Sequence, residues 1–213
     1  MKIAIIGSGN VGSALGRRIA NGGDAVVFGV RGSAGEAQVP SGTTAAPVVD
    51  AAANADVVLL AVPAGAAVDA VRSAGGLAGK VVVDCTNPLR FDRGPIWTPP
   101  AEGSVAQALA AACPDARVVK GFNHFGAEIH ADPTVAGTRA DALFASDDDG
   151  AKRIVMDLAS RIGFHAVDAG PLRNAALLEN LAVLWIHLSM SGSSGAAGRH
   201  FAFRIVGREA APA

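Results

Sequence analysis

Charge is scarce in this chain. Only 17% of its 213 residues are Asp, Glu, Lys or Arg, and the formal net charge is −1. That balance excludes the strongly basic surface by which proteins grip nucleic acid or anionic membranes. Half the residues are hydrophobic, enough for a large core. Yet no uninterrupted apolar run approaches the roughly 20 residues of a spanning helix. Only two cysteines occur, Cys85 and Cys113. They form no metal or redox spacing, and a cytoplasmic protein is the expectation. Cys85 ends an apolar strand and is expected to be buried there. His130, His165 and His200 stand alone, so no metal site is argued. Asp147-Asp148-Asp149 lacks the rest of a calcium spacing and reads as negative charge at a helix start. The first residues read as a core strand, which speaks against a cleaved leader. This length fits one domain, or one domain with a small appendage.

What is present begins at once. An apolar run, Ile3 to Ile6, reads as a buried strand and ends in Gly7-Ser8-Gly9-Asn10-Val11-Gly12. Ser13 to Asn21 then reads as a helix. Strand, glycine turn and helix in that order are the context a dinucleotide fingerprint requires. Gly7 suits the tight turn, Gly9 a close backbone approach to pyrophosphate, and Gly12 close packing of helix on strand. The helix N-terminus supplies free N–H groups and a favourable dipole for phosphate. The expected fold class is therefore α/β, a Rossmann-type, doubly wound, mostly parallel sheet with a C-terminal helical extension. Residues 1–170 would form the nucleotide-binding domain. Residues 171–213 would pack on it or on a partner subunit.

A second absence is more specific. Ala25 to Gly29 reads as the next strand, and an NAD-binding protein carries an acid at its end for the ribose hydroxyls. Here the chain runs Phe28-Gly29-Val30-Arg31-Gly32-Ser33. The acid is missing and an arginine is present. A guanidinium can grip a 2′-phosphate with two parallel hydrogen bonds, and Ser33 could add a hydroxyl. NADP is favoured over NAD, with Glu36 a competing acid if the loop folds back.

Other segments follow the same logic. Ala45 to Ala53 reads as a short helix. Asp56 to Val62 reads as a central strand ending at Val62-Pro63-Ala64, on the edge where ligands bind. Ala66 to Ser73 reads as a helix, and Val81 to Asp84 as a strand that runs into Asn87-Pro88. Leu89 to Gly103, rich in Pro and Gly and carrying Phe91 and Trp97, reads as a long loop and a candidate for the substrate side. Ser104 is expected to cap a helix over Val105 to Ala112. Arg117 to Phe122 reads as a strand leading into Asn123-His124. An amide and an imidazole at a strand end could face a substrate, with His124 as a proton donor. Ala142 to Ser146 and Phe164 to Val167 read as strands flanking an amphipathic helix over Ala151 to Ile162.

Asn174 to Met190 reads as a helix that is apolar nearly all round and so must be covered on most sides. A homodimer formed through it is the preferred account. Glu179, Asn180 and His187 interrupt it, and Glu179 is expected to face solvent. Ser191 to Gly198 reads as a linker, and Phe201 to Ile205 as a short apolar segment that tucks into the same groove.

Taken together, IIGSGNVG, Gly29-Val30-Arg31, LLAVP at Leu59–Pro63, DCTNPL at Asp84–Leu89, VVKGFNHFGAE at Val118–Glu128 and DAGPLRNAALLEN at Asp168–Asn180 carry a resemblance. The chain resembles the coenzyme F420-dependent NADP oxidoreductase family, which also includes the reductase domain of STEAP metalloreductases. The resemblance runs through essentially the whole chain in order. It implies hydride transfer between NADP and a flavin-type acceptor, with the protein supplying position and electrostatics. By the same resemblance, Ser8, Asn10, Val11, Arg31 and Ser33 would hold the NADP phosphates. Pro63, Asn87 and Asn123 would line the nicotinamide side. Two positions depart from the F420 enzymes: Val30-Arg31 stands for their Ser-Arg, and Phe122-Asn123-His124 for a run closer to Leu-His-Thr. The acceptor stays open between F420, FMN or FAD, and a small carbonyl or imine compound reduced with His124 as proton donor. A non-catalytic dinucleotide-binding protein is the reading from another class. The expected partner is a small redox acceptor, with no nucleic acid and no membrane.

Overall fold

A computed structural model describes residues 1–75, 77–191 and 198–207. The first strand, β1 (Lys2–Ile6), runs into helix α1 (Asn10–Asn21) and then β2 (Ala25–Val30). Next come β3 (Thr44–Pro47), α2 (Val48–Ala53), β4 (Val57–Leu60), α3 (Ala67–Ser73) and β5 (Val81–Asp84). A hairpin of β6 (Leu89–Phe91) and β7 (Pro95–Trp97) precedes α4 (Val105–Ala112) and β8 (Arg117–Lys120). The remainder is α5 (Ala127–Ala131), a small hairpin of β9 (Thr134–Val135) and β10 (Thr138–Arg139), β11 (Asp141–Phe144), α6 (Asp149–Arg161), β12 (His165–Asp168) and α7 (Ala175–Ser191).

The main sheet has six strands in the order β3-β2-β1-β4-β5-β8, and every pairing in it is parallel. This is the doubly wound order with its reversal beside β1, where such sheets bind ligand beyond the strands' carboxyl ends. Alternation along β1 explains the two layers. Ile3 and Ile5 join a core with Leu15 and Ile19 of α1, Ile129 of α5 and Val155 and Leu158 of α6. Ala4 and Ile6 join the opposite core with Ala51 of α2, Val71 of α3 and Leu109 of α4. Strands buried on both faces read as continuous apolar runs, as VVLL in β4 does.

The sheet continues past β8 through one antiparallel bridge between Lys120 and Ala145. Beyond it β11 and β12 form a parallel pair. Gly121 stands at this seam because a Cβ there would strike the Phe144 ring. Asp148 caps α6 by accepting from the Ala151 N–H at 2.8 Å, and Ser104 caps α4 by accepting from Gln107 N–H at 3.2 Å.

Two expected elements are corrected. Ala45 to Ala53 is not all helix. Residues Thr44–Pro47 pair with Val27–Val30 as an edge strand, and the helix starts only at Val48. Alanine is compatible with either state locally, and pairing with β2 decides it. Leu89 to Gly103 is not a structureless loop either, because its first nine residues form the β6–β7 hairpin.

The buried face of α7 consists of Ala175, Leu178, Glu179, Ala182 and Trp185. It packs on β7 and α4. The tail returns to it: Phe201 stacks on Trp185 with centroids 5.2 Å apart, and Trp185 Nε1 donates to the Phe201 carbonyl at 2.9 Å. The expected linker over Ser191–Gly198 falls mostly outside the described residues. No helix among the described residues is long and apolar enough to cross a membrane.

Candidate active site

The carboxyl ends of β1, β2 and β4 enclose a cleft of about 470 Å³ lined by Gly7, Ser8, Gly9, Arg31, Val62 and Pro63 among others. Backbone geometry makes its floor. Gly7 sits at φ +112°, and a Cβ there would collide with the Ala61 carbonyl. A Cβ on Gly12 would collide with the Gly7 carbonyl, so α1 can approach the turn only because residue 12 has none. Around Gly9 the protein leaves open space, with nothing within 4 Å of where its Cβ would be. Gly9 is also the N-cap of α1 and provides no side chain to satisfy the first-turn N–H groups. Those donors have no intrahelical partner and point where an anion would lie. Ser13 Oγ donates to the Ser8 carbonyl at 2.9 Å and holds the turn against the helix.

Arg31 lies on the rim of this cleft and is exposed. Among the described residues no ion pair or hydrogen bond engages its guanidinium. Ser33 and Glu36 are both exposed and lie outside the cleft lining. The α3 residues Asp69 and Ser73 do line it, and nothing in their linear context points there.

The strand ends farther along the edge are joined to each other. Asn87 Nδ2 donates to the Asn123 carbonyl at 2.7 Å. Asn123 Nδ2 donates to Asn87 Oδ1 at 2.8 Å and to the Leu178 carbonyl at 3.0 Å. The pair therefore clamps the β5 and β8 ends to each other and to α7. Pro88 is buried, and its carbonyl accepts from Thr98 N–H at 2.8 Å, which closes the base of the β6–β7 hairpin. Phe122, just before Asn123, is held at φ +54°, a backbone region costly for a large side chain. Its ring meets Phe144 edge-on at 5.0 Å, and that packing holds the turn.

His124 lies in the interior, 1% exposed. Its Nε2 accepts from the Leu143 N–H at 3.1 Å, and its ring stands edge-on to Phe125 at 4.6 Å. Burial pushes its pKa down to about 3, so the ring is neutral at ordinary pH. Neither of these partners lines the cleft. This arrangement supplies packing and an acceptor for a strand N–H, while Nδ1, buried as well, meets no hydrogen-bond partner among the described residues. The unfolded chain binds the His124 proton near its ordinary pKa of about 6.5, and the folded chain only near 3. Its contribution to stability is therefore complete above about pH 6.5 and is lost as pH falls through that window. His124→Gln keeps an acceptor for Leu143. It is expected to flatten the pH dependence of urea unfolding between about pH 6.5 and 4 by up to about one proton. An unchanged slope would remove His124 from the account. His130, buried between the Phe122 and Gly126 carbonyls, is held low in the same sense. His165 does have company, at 2.8 Å from buried Asp141.

Glu179 is the largest correction. It faces inward with 0% exposure. Lys120 Nζ, equally buried, donates to Asp84 Oδ2 at 2.8 Å, to the Thr86 carbonyl at 2.6 Å and to Glu179 Oε1 at 3.0 Å. Glu179 also accepts from Val105 N–H, at the start of α4, at 3.0 Å. Its other oxygen accepts from Trp97 Nε1 at 2.8 Å. Asp84 Oδ1 accepts from Thr86 N–H at 2.9 Å. All three ammonium hydrogens and all four carboxylate oxygens are thereby used, as low-dielectric burial requires. A signal existed: Asp84 and Lys120 each end an apolar strand, and they are register partners. A charge at the end of a run buried on both faces needs a partner.

The comparisons with known proteins bear on this arrangement. The family model described as "NADP oxidoreductase coenzyme F420-dependent" matches residues 2–88. The F420-dependent NADP reductase of Methanothermobacter marburgensis is 30% identical, over 93% of this chain and 96% of that relative. The chain belongs to the F420-dependent NADP oxidoreductase family. A solved structure from Arthrobacter sp. FB24, provisionally described as an F420-dependent NADP reductase, superimposes with a TM-score of 0.85. It is 30% identical and aligns over 97% of this chain and 99% of its own. The rat metalloreductase STEAP3 is 32% identical over 84% of this chain, which spans only 36% of that longer protein. The F420-dependent family is one of oxidoreductases, and its model covers both the glycine turn and the Asn87-Pro88 strand end.

Proposed function

We propose that this protein transfers hydride between NADP(H) and the deazaflavin F420. One observation carries the cofactor half of this reading: an open cradle at Gly9 beneath the bare N-terminus of α1, with Arg31 on its rim and unpaired among the described residues. The residues present fit a dinucleotide phosphate. The N–H groups of Asn10, Val11 and Gly12 with Ser8 would hold the pyrophosphate, and Arg31 the 2′-phosphate. Ser33 would join Arg31 only from the flank of the cleft. Val62 and Pro63 would lie against the dinucleotide, and Asn87, Pro88 and Asn123 would border the nicotinamide. When bound, the nicotinamide and the deazaflavin supply the redox chemistry. The chain's own part is to hold the two rings in register and keep water from between them. F420 as the acceptor rests on what the relatives' names state, and family membership supports it. That His124 is buried and absent from the cleft lining favours this reading over a carbonyl or imine reductase with His124 as proton donor.

The test is NADPH oxidation with F420 and FMN side by side, with the wild type and Arg31→Ala. F420 should be reduced and FMN much less so. Arg31→Ala should weaken NADPH roughly tenfold, the worth of one hydrogen bond to a charged group, and leave NADH nearly unchanged. Equal losses for both nucleotides would refute the 2′-phosphate assignment. Turnover with neither acceptor would refute the reaction.

The same reading includes a homodimer through α7. Its outer face carries Leu177 and Leu184, exposed by 66% and 47%, and their spacing of two turns sets them on one side of the helix. Residues 171–213 would then serve both the domain and the partner. A cytoplasmic setting is supported by the unpaired thiols of Cys85 and Cys113.

A further inference from the structure

The hydrogen bond between Trp97 and Glu179 joins two parts of the molecule with no neighbouring sequence. Trp97 ends the hairpin that rises directly from Asn87-Pro88, the strand end proposed to border the nicotinamide. Glu179 lies within α7. The indole N–H reaches Glu179 Oε2 at 2.8 Å, while Glu179 Oε1 is fixed by Lys120 and by the α4 N-terminus. Lys120 in turn fixes the Thr86 carbonyl, one residue before Asn87. The hairpin is thus tied along its second half. Its base is closed by Thr98 on Pro88, and its β7 strand is tied to a fully buried carboxylate. Its other strand and the turn are barely anchored: Phe91 is 63% exposed, the Arg90 side chain 57%, and that of Arg93 in the turn 96%. A two-stranded hairpin this short does not hold a position by itself. The Trp97–Glu179 bond and the packing of α7 on β7 give it one.

We propose that Glu179 and Trp97 are positioning residues that hold the β6–β7 hairpin as the acceptor-side wall of the site. This deepens the hydride-transfer reading and rests on it. Neither side chain touches the reacting atoms. Their role is to fix where the hairpin stands relative to the Asn87–Asn123 edge, beside which a planar acceptor would stack on the nicotinamide.

The experiment compares the wild type with Trp97→Phe and Glu179→Gln. Trp97→Phe keeps an aromatic ring and removes the N–H. Glu179→Gln keeps shape and an oxygen for Val105 and Lys120, gives up the charge opposite Lys120, and can turn an NH2 toward the indole donor. Three quantities are measured: amide hydrogen exchange over residues 89–97 without ligands, the Kd of NADPH by fluorescence, and KM and kcat for F420 at saturating NADPH. In both variants exchange over 89–97 should quicken and the F420 KM should rise about tenfold, the worth of one hydrogen bond to a charged group. NADPH Kd should stay within about twofold, as expected for a contact on the other side of the site. The double variant should be no worse than the poorer single one. A parallel loss of NADPH affinity would make the bond a general structural contact and overturn the proposal. So would quickened exchange with an unchanged F420 KM, or unchanged exchange. If the wild type itself does not turn over F420, the hydride-transfer reading falls and the assignment of the hairpin falls with it. Exchange data still separate that result from a bond that does not form.

Discussion

Lys120→Met should lower the unfolding free energy by about 3–5 kcal/mol, the cost of removing one partner from a buried ion pair. The ammonium contacts Asp84, Glu179 and the Thr86 carbonyl, all without solvent. Methionine fills most of the space and donates nothing. Two carboxylates are then left in the interior with their remaining donors, Thr86 N–H on one and Val105 N–H and Trp97 Nε1 on the other. The measurement is urea unfolding, read as a fall in the midpoint at constant slope. A loss under about 1 kcal/mol would show the cluster to be relaxed or hydrated, since exposed pairs are worth that little. Adding Glu179→Gln to Lys120→Met removes one of the stranded carboxylates. The double variant should therefore be less destabilised than the two single losses added together, as expected for groups in one network.

Gly12→Ala should reduce NADPH affinity by about tenfold to a hundredfold, matching about 1–3 kcal/mol of overpacking. The added Cβ would strike the Gly7 carbonyl and come within 3.3 Å of the Ala61 side chain. Something must shift, and both neighbours are parts of the phosphate turn or of the β4 end behind it. The helix N-terminus then moves off the position its N–H groups need. Gly9→Ala makes the contrast. Its Cβ meets no protein atom within 4 Å, so thermal stability should hold while affinity falls, because the methyl would occupy the space left for pyrophosphate. Titration of intrinsic fluorescence with NADPH, alongside thermal melts of both variants, separates the two cases. Binding at the wild-type level by Gly12→Ala would mean that the cradle is not the phosphate site.

How far the sequence can be read is set by the range of the interactions. The strand–turn–helix opening is legible because its constraints are local: an apolar run, three glycines at fixed spacing and a helix. The same holds for β4, β5 and the long helices, whose periodicity lies in consecutive residues. The edge strand β3 is not legible, because TAAP has no strand pattern of its own and owes its state to β2. Nor is the β6–β7 hairpin, whose strands are three residues each inside a Pro- and Gly-rich stretch. Glu179 reads as solvent-facing since an acid in a helix usually is. Its partners lie 59 to 82 residues away in the chain, beyond any local window. His124 is attractive as a polar residue at a strand end. The left-handed turn at Phe122, invisible in the sequence, turns the imidazole toward β11, where Leu143 donates to it. The family resemblance reaches the same fold by a separate route, through motifs distributed over the whole chain.

The single bridge at Lys120 and Ala145 has a consequence for how these molecules behave in a crowded solution. An open parallel sheet has two rims of unpaired backbone groups, and each is a template on which another chain can add a strand. Here the β8 rim is occupied at its ligand end, where Lys120 and Ala145 exchange both hydrogen bonds at 2.8 and 3.0 Å. The opposite rim is β3, only four residues long and closed by Pro47, which has no N–H to offer. Neither rim presents a long ladder. A half-hydrophobic chain with a net charge of −1 has little electrostatic repulsion to keep copies apart, so resistance to aggregation falls to the geometry of its sheet edges.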